Sequence, residues 1–309
     1  LDFWEITLAD SRLHLKIVVP TENTENILDL MGKRFAHLEG FRIVLLPVEA
    51  SLPRPKQEEK KQPDRSEISR EKKRVSRWIR ISREELYSDV EKTVKQSWVF
   101  VAMMFFSSVV ASIGILRNSV VFIIGAMVIA PLLGPNVALS FATTLGDVGL
   151  SKRAMNAIGV GILTVFLSSL LIGMLVEVNP EIPELLMRTE VSMGDVVLAL
   201  IAGSAAALSF TSGMFGALIG VMVAVALLPP LVTMGLLCGS GQWPLALGSL
   251  LLFLINLICV NLAGVVTFLI QGIRPVTWWE SARAKKATRM AIVIWMVLLI
   301  ALVSMIYIS

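Results

Sequence analysis

The stretch Ile124-Gly125-Ala126-Met127-Val128-Ile129-Ala130-Pro131-Leu132-Leu133-Gly134-Pro135-Asn136-Val137 returns 95 residues later as Ile219-Gly220-Val221-Met222-Val223-Ala224-Val225-Ala226-Leu227-Leu228-Pro229-Pro230-Leu231-Val232, with eight of the fourteen positions identical and no gap. Gly146 then falls on Gly241 at the same offset. A Leu/Val/Gly-rich sequence matches itself easily, but the alignment of Pro135 with Pro230 favours a duplication. Both copies lie in apolar runs of spanning length, about 20 residues each. These runs are 97–116, 119–146, 154–176, 193–210, 213–237, 244–271 and 288–308. The offset lays the first three over the next three. Three is odd, so the second copy must enter the membrane from the opposite face, which gives the inverted repeats of secondary transporters and some channels.

Composition agrees. Of the 309 residues 55% are hydrophobic and 17% charged, and the mean hydropathy is +0.74, too high for an ordinary soluble domain. Residues 1–95 hold 19 of the 28 Lys and Arg and 17 of the 24 Asp and Glu, so a polar third precedes a membrane body. The net charge of +4 is what basic juxtamembrane segments give. With no nucleic-acid-reading motif beside it, no nucleic-acid partner is expected. Cys238 and Cys259 lie in or beside apolar runs and are read as packing residues, while His14 and His37 stand alone, so neither a disulfide framework nor a metal site is expected.

Residues 1–50 read as strand, strand, helix, strand. Asp2 to Leu8 and Leu13 to Val19 carry the β pattern. Thr21 or Asn23 caps a helix with apolar Ile27, Leu28, Met31, Phe35 and Leu38, ended by Gly40, and Phe41 to Val48 is a buried strand. That order is a ferredoxin-like sandwich without its first strand and helix. Leu1 opens on a strand-like run and not on a signal peptide, and a start other than Met leads us to expect residues upstream. A Pro-broken charged linker covers 51–70 and an amphipathic juxtamembrane helix 71–96. The membrane body is 97–309, with repeat one at 97–191, repeat two at 192–286 and an extra helix at 288–308. The expected fold is therefore an all-α polytopic bundle of seven helices with 3+3 inverted repeats and Pro-broken helices, preceded by a small α+β ferredoxin-like soluble domain. Lys152, Arg153 and the basic 272–287 loop fall on the side of the basic N-terminal flank, placing the N-terminus in the cytoplasm and the C-terminus outside.

Proline removes a backbone donor and blocks the carbonyl four residues earlier, so Pro131 and Pro135, and Pro229 and Pro230, free polar backbone inside the bilayer. Such groups must face protein, water or a ligand. If both helices break, the segment after Pro135 presents a half-helix N-terminus with a partial positive charge and the carbonyls before it can hold a cation, with Gly134 a further pathway candidate; a simple kink is the alternative. Asn136, Asn256 and Asn261 join these prolines as pathway or binding candidates, against the plain role of hydrogen-bonding a neighbouring helix. Gly213, Gly216 and Gly220 suggest close helix packing. Asp147 and Asp195, at span ends, are mouth or cap candidates. No ionisable residue stands in the middle of a span, which disfavours proton coupling through a midplane carboxylate, and no catalytic motif is visible, so no enzyme and no cofactor are expected.

The run Ile123 to Pro135, followed by Gly146-Asp147, resembles the signature of a bacterial and archaeal membrane family catalogued as domain of unknown function 389, and Leu38 to Pro53 looks like the soluble domain that precedes it in many members. Asn136 stands where that family often carries a small or aliphatic residue. The resemblance implies a prokaryotic cytoplasmic-membrane protein and no particular activity. Two functions are weighed: a channel-like or weakly coupled conduit for a small ion or polar solute, working as a homo-oligomer in the lipid bilayer, and a membrane-anchored sensor or scaffold whose soluble domain binds a ligand or partner.

Overall fold

The computed structural model of the chain describes residues 2–7, 13–19, 21–35, 37–38, 40–46, 83–213 and 217–273, with 293, 296, 297 and 304 as single positions. The chain divides into two compact units, Leu1–Tyr87 and Ser88–Ser309.

In the first unit β1 (Asp2–Thr7) and β2 (Leu13–Val18) form an antiparallel hairpin with Asp2 opposite Val18 and Thr7 opposite Leu13. Helix α1 (Thr21–Phe35) follows. It stops before Leu38 and Gly40, although the apolar period continues, and Gly40 takes a φ of +82° in the following turn. The expected strand from Phe41 is corrected: Phe41–Leu46 is exposed and belongs to no ladder. A strand is held by pairing with another, and among the described residues Phe41–Leu46 pairs with neither β1 nor β2, whose outer edges stay open. The linker at 51–70 lies outside the described residues, as does the juxtamembrane helix up to residue 82. Within the expected range of that helix the described residues form α2 (Arg83–Thr93), which runs from the first unit into the second.

The second unit is a helical bundle: α3 (Trp98–Leu116), α4 (Val120–Ile129), α5 (Leu133–Leu145), α6 (Val148–Leu175), α7 (Pro183–Leu186), α8 (Met193–Thr211), α9 (Ala217–Gly239) and α10 (Trp243–Ile270). Four of these, α3, α6, α8 and α10, are long and apolar enough to cross a membrane; α4 and α5, bent by 55° where they meet, make a fifth if taken as one broken span. The chain is a multi-pass membrane protein. Of the expected last span, 288–308, only Val293, Met296, Val297 and Ser304 are described, all helical.

Local chemistry sets the helix ends. Ser97 accepts a hydrogen bond from the Phe100 amide to cap α3, and Ser192 with Asp195 makes a capping box on α8. Asp147 caps α6 by accepting from the Leu150 amide at 2.9 Å. That cap draws residues 148–153, expected as a charged loop, into the helix. Gly146 and Gly241 adopt left-handed φ of 69° and 80°, and each turn closes with the same bond: Asp147 N–H to Ala142 O at 2.9 Å, and Gln242 N–H to Leu237 O at 2.8 Å. The bounds recur as well. Helices α3 and α8 are 19 residues each and start 95 apart; α6 and α10 are 28 each and start 95 apart.

Packing is reciprocal. Helix α6 lies against α9, α10 lies against α5, and α9 also meets α4. Small residues permit the closest approaches. A Cβ on Gly203 would strike the Val260 carbonyl, one on Gly173 the Leu236 carbonyl and one on Gly239 the Leu170 carbonyl. These are not the glycines expected from the sequence: Gly213 sits in the turn after α8 with φ 68°, Gly220 makes only ordinary contact with Leu133, and Gly216 lies outside the described residues.

Candidate functional site

The two proline sites fold differently. Helix α4 ends at Ile129, Ala130 turns extended with ψ near 117°, and α5 starts at Leu133. Pro131 stands in this break. Without an N–H it withholds the bond that the Met127 carbonyl would have received, and the next amide, Leu132, turns to Ala130 O at 2.9 Å. Pro135 sits buried in the first turn of α5, where no intrahelical donor is needed. Pro131 is thus the breaking residue and Pro135 an accommodated one.

The expectation that the second helix also breaks is corrected. Helix α9 runs from Ala217 to Gly239 with Pro229 and Pro230 inside it. Its position matching Pro131 is Ala226, so the donor lost in α4–α5 is present there. Pro230 in turn removes the amide that would have bonded the Ala226 carbonyl, and Asn256 replaces it: its Nδ2 donates to Ala226 O at 2.8 Å. A side chain from α10 therefore mends the proline lesion in α9, at a depth where an unmet carbonyl costs about 1–3 kcal/mol. The Oδ1 of the same asparagine is buried with no partner.

Asn136 and Asn261 come together in one polar knot between α5 and α10. Asn261 Nδ2 donates to Asn136 Oδ1 at 3.1 Å and to Leu257 O at 2.9 Å, while Asn136 Nδ2 donates to Leu132 O at 2.8 Å, beside the break. Ser140 Oγ lies 3.2 Å from both Asn261 O and Asn261 Oδ1. Asn136 and Asn261 are each 1% exposed, so the knot is dry. The crevice next to it, lined by Asn136, Ser140, Gly203, Val223, Val260 and Phe268 among others, is too narrow for a water molecule.

On one side the break meets α2. Thr93 lies against Gly134 so closely that a Cβ there would collide with it, and Glu91 of the same helix pairs with Arg153 of α6 at 2.6 Å. Asp147 and Asp195, expected at mouths or caps, serve as helix caps. Sequence reasoning missed Thr93 and Gly264 as parts of the site. Ser140 was visible at helical spacing after Asn136, but nothing local points from it to Gly264, whose Cβ would meet Ser140 Oγ at 2.7 Å. Among the described residues no group of His, Cys, Asp and Glu is placed to hold a metal ion.

Residues 127–262, which include both proline sites and all three asparagines, match the family described as Domain of unknown function (DUF389). A protein of the archaeon Methanocaldococcus jannaschii, described as uncharacterized, is 33% identical over 291 residues, covering 93% of this chain and 85% of its own length. No solved structure gives a significant match. On the match of the proline-bearing core and of nearly the whole length, the chain belongs to the DUF389 family of membrane proteins.

Proposed function

We propose that the membrane body is a conduit, passive or weakly coupled, for a small ion or polar solute, built at the interface of two inverted repeats, 97–191 and 192–286. The observation that carries this reading is a set of contacts that exchange partners at an offset of 95. Ser140 meets Gly264, and Gly235 meets Ser169; adding 95 to the first residue and subtracting it from the second turns one pair into the other. Phe141 stacks edge-on against Phe268 at 5.5 Å, and the equivalent pair is Leu236 against Gly173. Reciprocal contacts of this kind are what a two-fold axis between repeats produces. Such an axis relates the two middle helices, which carry Pro135 and Pro230, both buried.

Buried, paired, proline-bearing helices at a repeat interface suit alternating exposure of a central site, and a plain anchor needs none of them. The closed crevice is the conduit's shut form in this reading. Basic residues in the 147–153 segment and the N-terminal flank favour a cytoplasmic N-terminus and an outer C-terminus in a prokaryotic cytoplasmic membrane. The soluble unit gates or assembles the body, as a homo-oligomer, and no catalysis is involved.

The test is flux of a panel of small cations and anions into proteoliposomes carrying the full chain. Pro131→Ala, which restores the missing donor of the break, and Pro230→Ala, which makes Asn256 redundant, should each reduce flux at least tenfold while the protein still inserts. Unchanged flux in both would defeat the proposal. The dryness of the crevice favours the second reading, a membrane-anchored sensor or scaffold, and absence of flux for every ion from folded wild type would support it.

A further inference from the structure

We infer that Asn256 Oδ1, together with the proline-freed backbone of α9, binds a small monovalent cation, which assigns the conduit's cargo a charge. The inference rests on the conduit reading only for the word cargo; the site itself rests on the geometry. Asn256 is the fourteenth of the 28 residues of α10 and is 4% exposed, so its side chain lies at mid-span. Its Nδ2 is spent on Ala226 O, and its Oδ1 has no partner. Beside it on α9, Pro229 and Pro230 withhold the amides that Val225 and Ala226 would have bonded. The Ala226 carbonyl is met by Nδ2, so the oxygens left over are Asn256 Oδ1 and the Val225 carbonyl that has lost its helical amide.

The charge follows from what is left over. Among the described residues of the helical bundle, the buried side-chain atoms without a partner are Thr233 Oγ1, Asn256 Oδ1 and Gln271 Oε1. Two of these can only accept, and the third is a hydroxyl that can. Thr233 lies seven residues from Ala226 on α9, hence on the same face two turns away, roughly 10 Å along the axis. Carbonyl and amide oxygens are the ligands of hard cations in membranes, whereas an anion needs donors, and among the described residues every buried side-chain nitrogen already has a partner. A neutral carbonyl and an amide oxygen favour a monovalent ion over a divalent one, which demands carboxylates.

The experiment measures thermal unfolding of the purified full chain in detergent, in lithium, sodium, potassium, rubidium, ammonium and choline chlorides at one ionic strength. A single cation should raise the midpoint by roughly 3–5 °C for each tenfold increase above its dissociation constant, with choline inert. Asn256→Asp, which adds a charge at the same atom, should shift that dependence to at least tenfold lower concentration, and Asn256→Leu should abolish it. If wild type responds to no cation more than to choline, or if Asn256→Asp and Asn256→Leu keep the wild-type dependence, the site is overturned. The two readings separate cleanly: cation binding without flux leaves the site and removes the conduit, and cation flux without an Asn256-dependent response does the reverse.

Discussion

The two segments 95 residues apart solve one contact in two ways. In the first, Ser108 of α3 faces α6 and its Oγ donates to the Val165 carbonyl at 3.2 Å; Ser168 Oγ joins at 2.7 Å. In the second, the matching residue of α8 is Gly203, and it faces the carbonyl of Val260, the match of Val165, with no room for a Cβ. The prolines show the same divergence. Pro131 breaks the first middle helix, while its match, Ala226, keeps the second continuous and leaves Pro230 to be mended by Asn256. Equal spacing thus preserves where elements start and stop, whereas single residues decide whether a contact is made by a hydroxyl or by bare backbone, and whether a helix bends.

The largest expected effect comes from forcing one solution onto the other. Gly203→Val puts a branched side chain against the Val260 backbone, which cannot rotate aside, so destabilisation at or above the upper end of overpacking costs, about 3 kcal/mol, is expected. The readout is loss of the monodisperse species in size-exclusion chromatography. The converse change, Ser108→Gly, removes a hydroxyl bond and adds a helical glycine. It should cost only about 1–2 kcal/mol by thermal unfolding; equal losses from both changes would erase the distinction between the two packings.

Asn261→Leu should have an intermediate effect. It strips the donor from Asn136 Oδ1, leaving a buried acceptor unmet, and in membrane proteins such bonds contribute about 0.6 kcal/mol on average and 1.7 at most. A fall in stability of about 1–2 kcal/mol, largely cancelled when Asn136→Leu is added, would identify the knot as one unit. Additive losses would mean that the two asparagines act separately.

Much of the bundle is legible in the sequence because its signals are local. Apolar runs give spans to within a residue or two for α3, α8 and α10, and the repeat match gives the offset at which the element bounds recur. What was hidden depends on distant partners. Counting prolines predicted two breaks, but the outcome at Pro230 hangs on Asn256, 26 residues on, and on Ala226 standing where Pro131 stands. The start of α6 was misplaced because Lys152 and Arg153 read as loop, although long charged side chains at a helix end can reach the interface. Glycine spacing showed that helices could approach closely, and not which carbonyl each glycine would meet. The strand expected at Phe41 docks on neither open edge of the hairpin, and docking is a matter of tertiary placement that no local pattern reveals.

The smallest expected effect lies where α6 and α10 begin. Arg153, in the second turn of α6, pairs with Glu91 at 2.6 Å, and the two side chains are 49% and 37% exposed. The residue 95 positions on is Gly248, and it rests on the Thr189 carbonyl without space for a Cβ. Helix α6 thus touches the segment that precedes α3, and α10 the segment that precedes α8, one through a half-solvated ion pair and the other through backbone. Screening by water holds such a pair to about 0.2–1 kcal/mol, so Arg153→Gln should lower stability by less than about 1 kcal/mol and lose even that in high salt. Gly248→Ala, a change of one methyl group, should cost more, because the backbone of Thr189 must move for it. If Arg153→Gln proved the costlier of the two, the ion pair would be holding α2 against Gly134 and the break, and flux in that variant would then change along with stability.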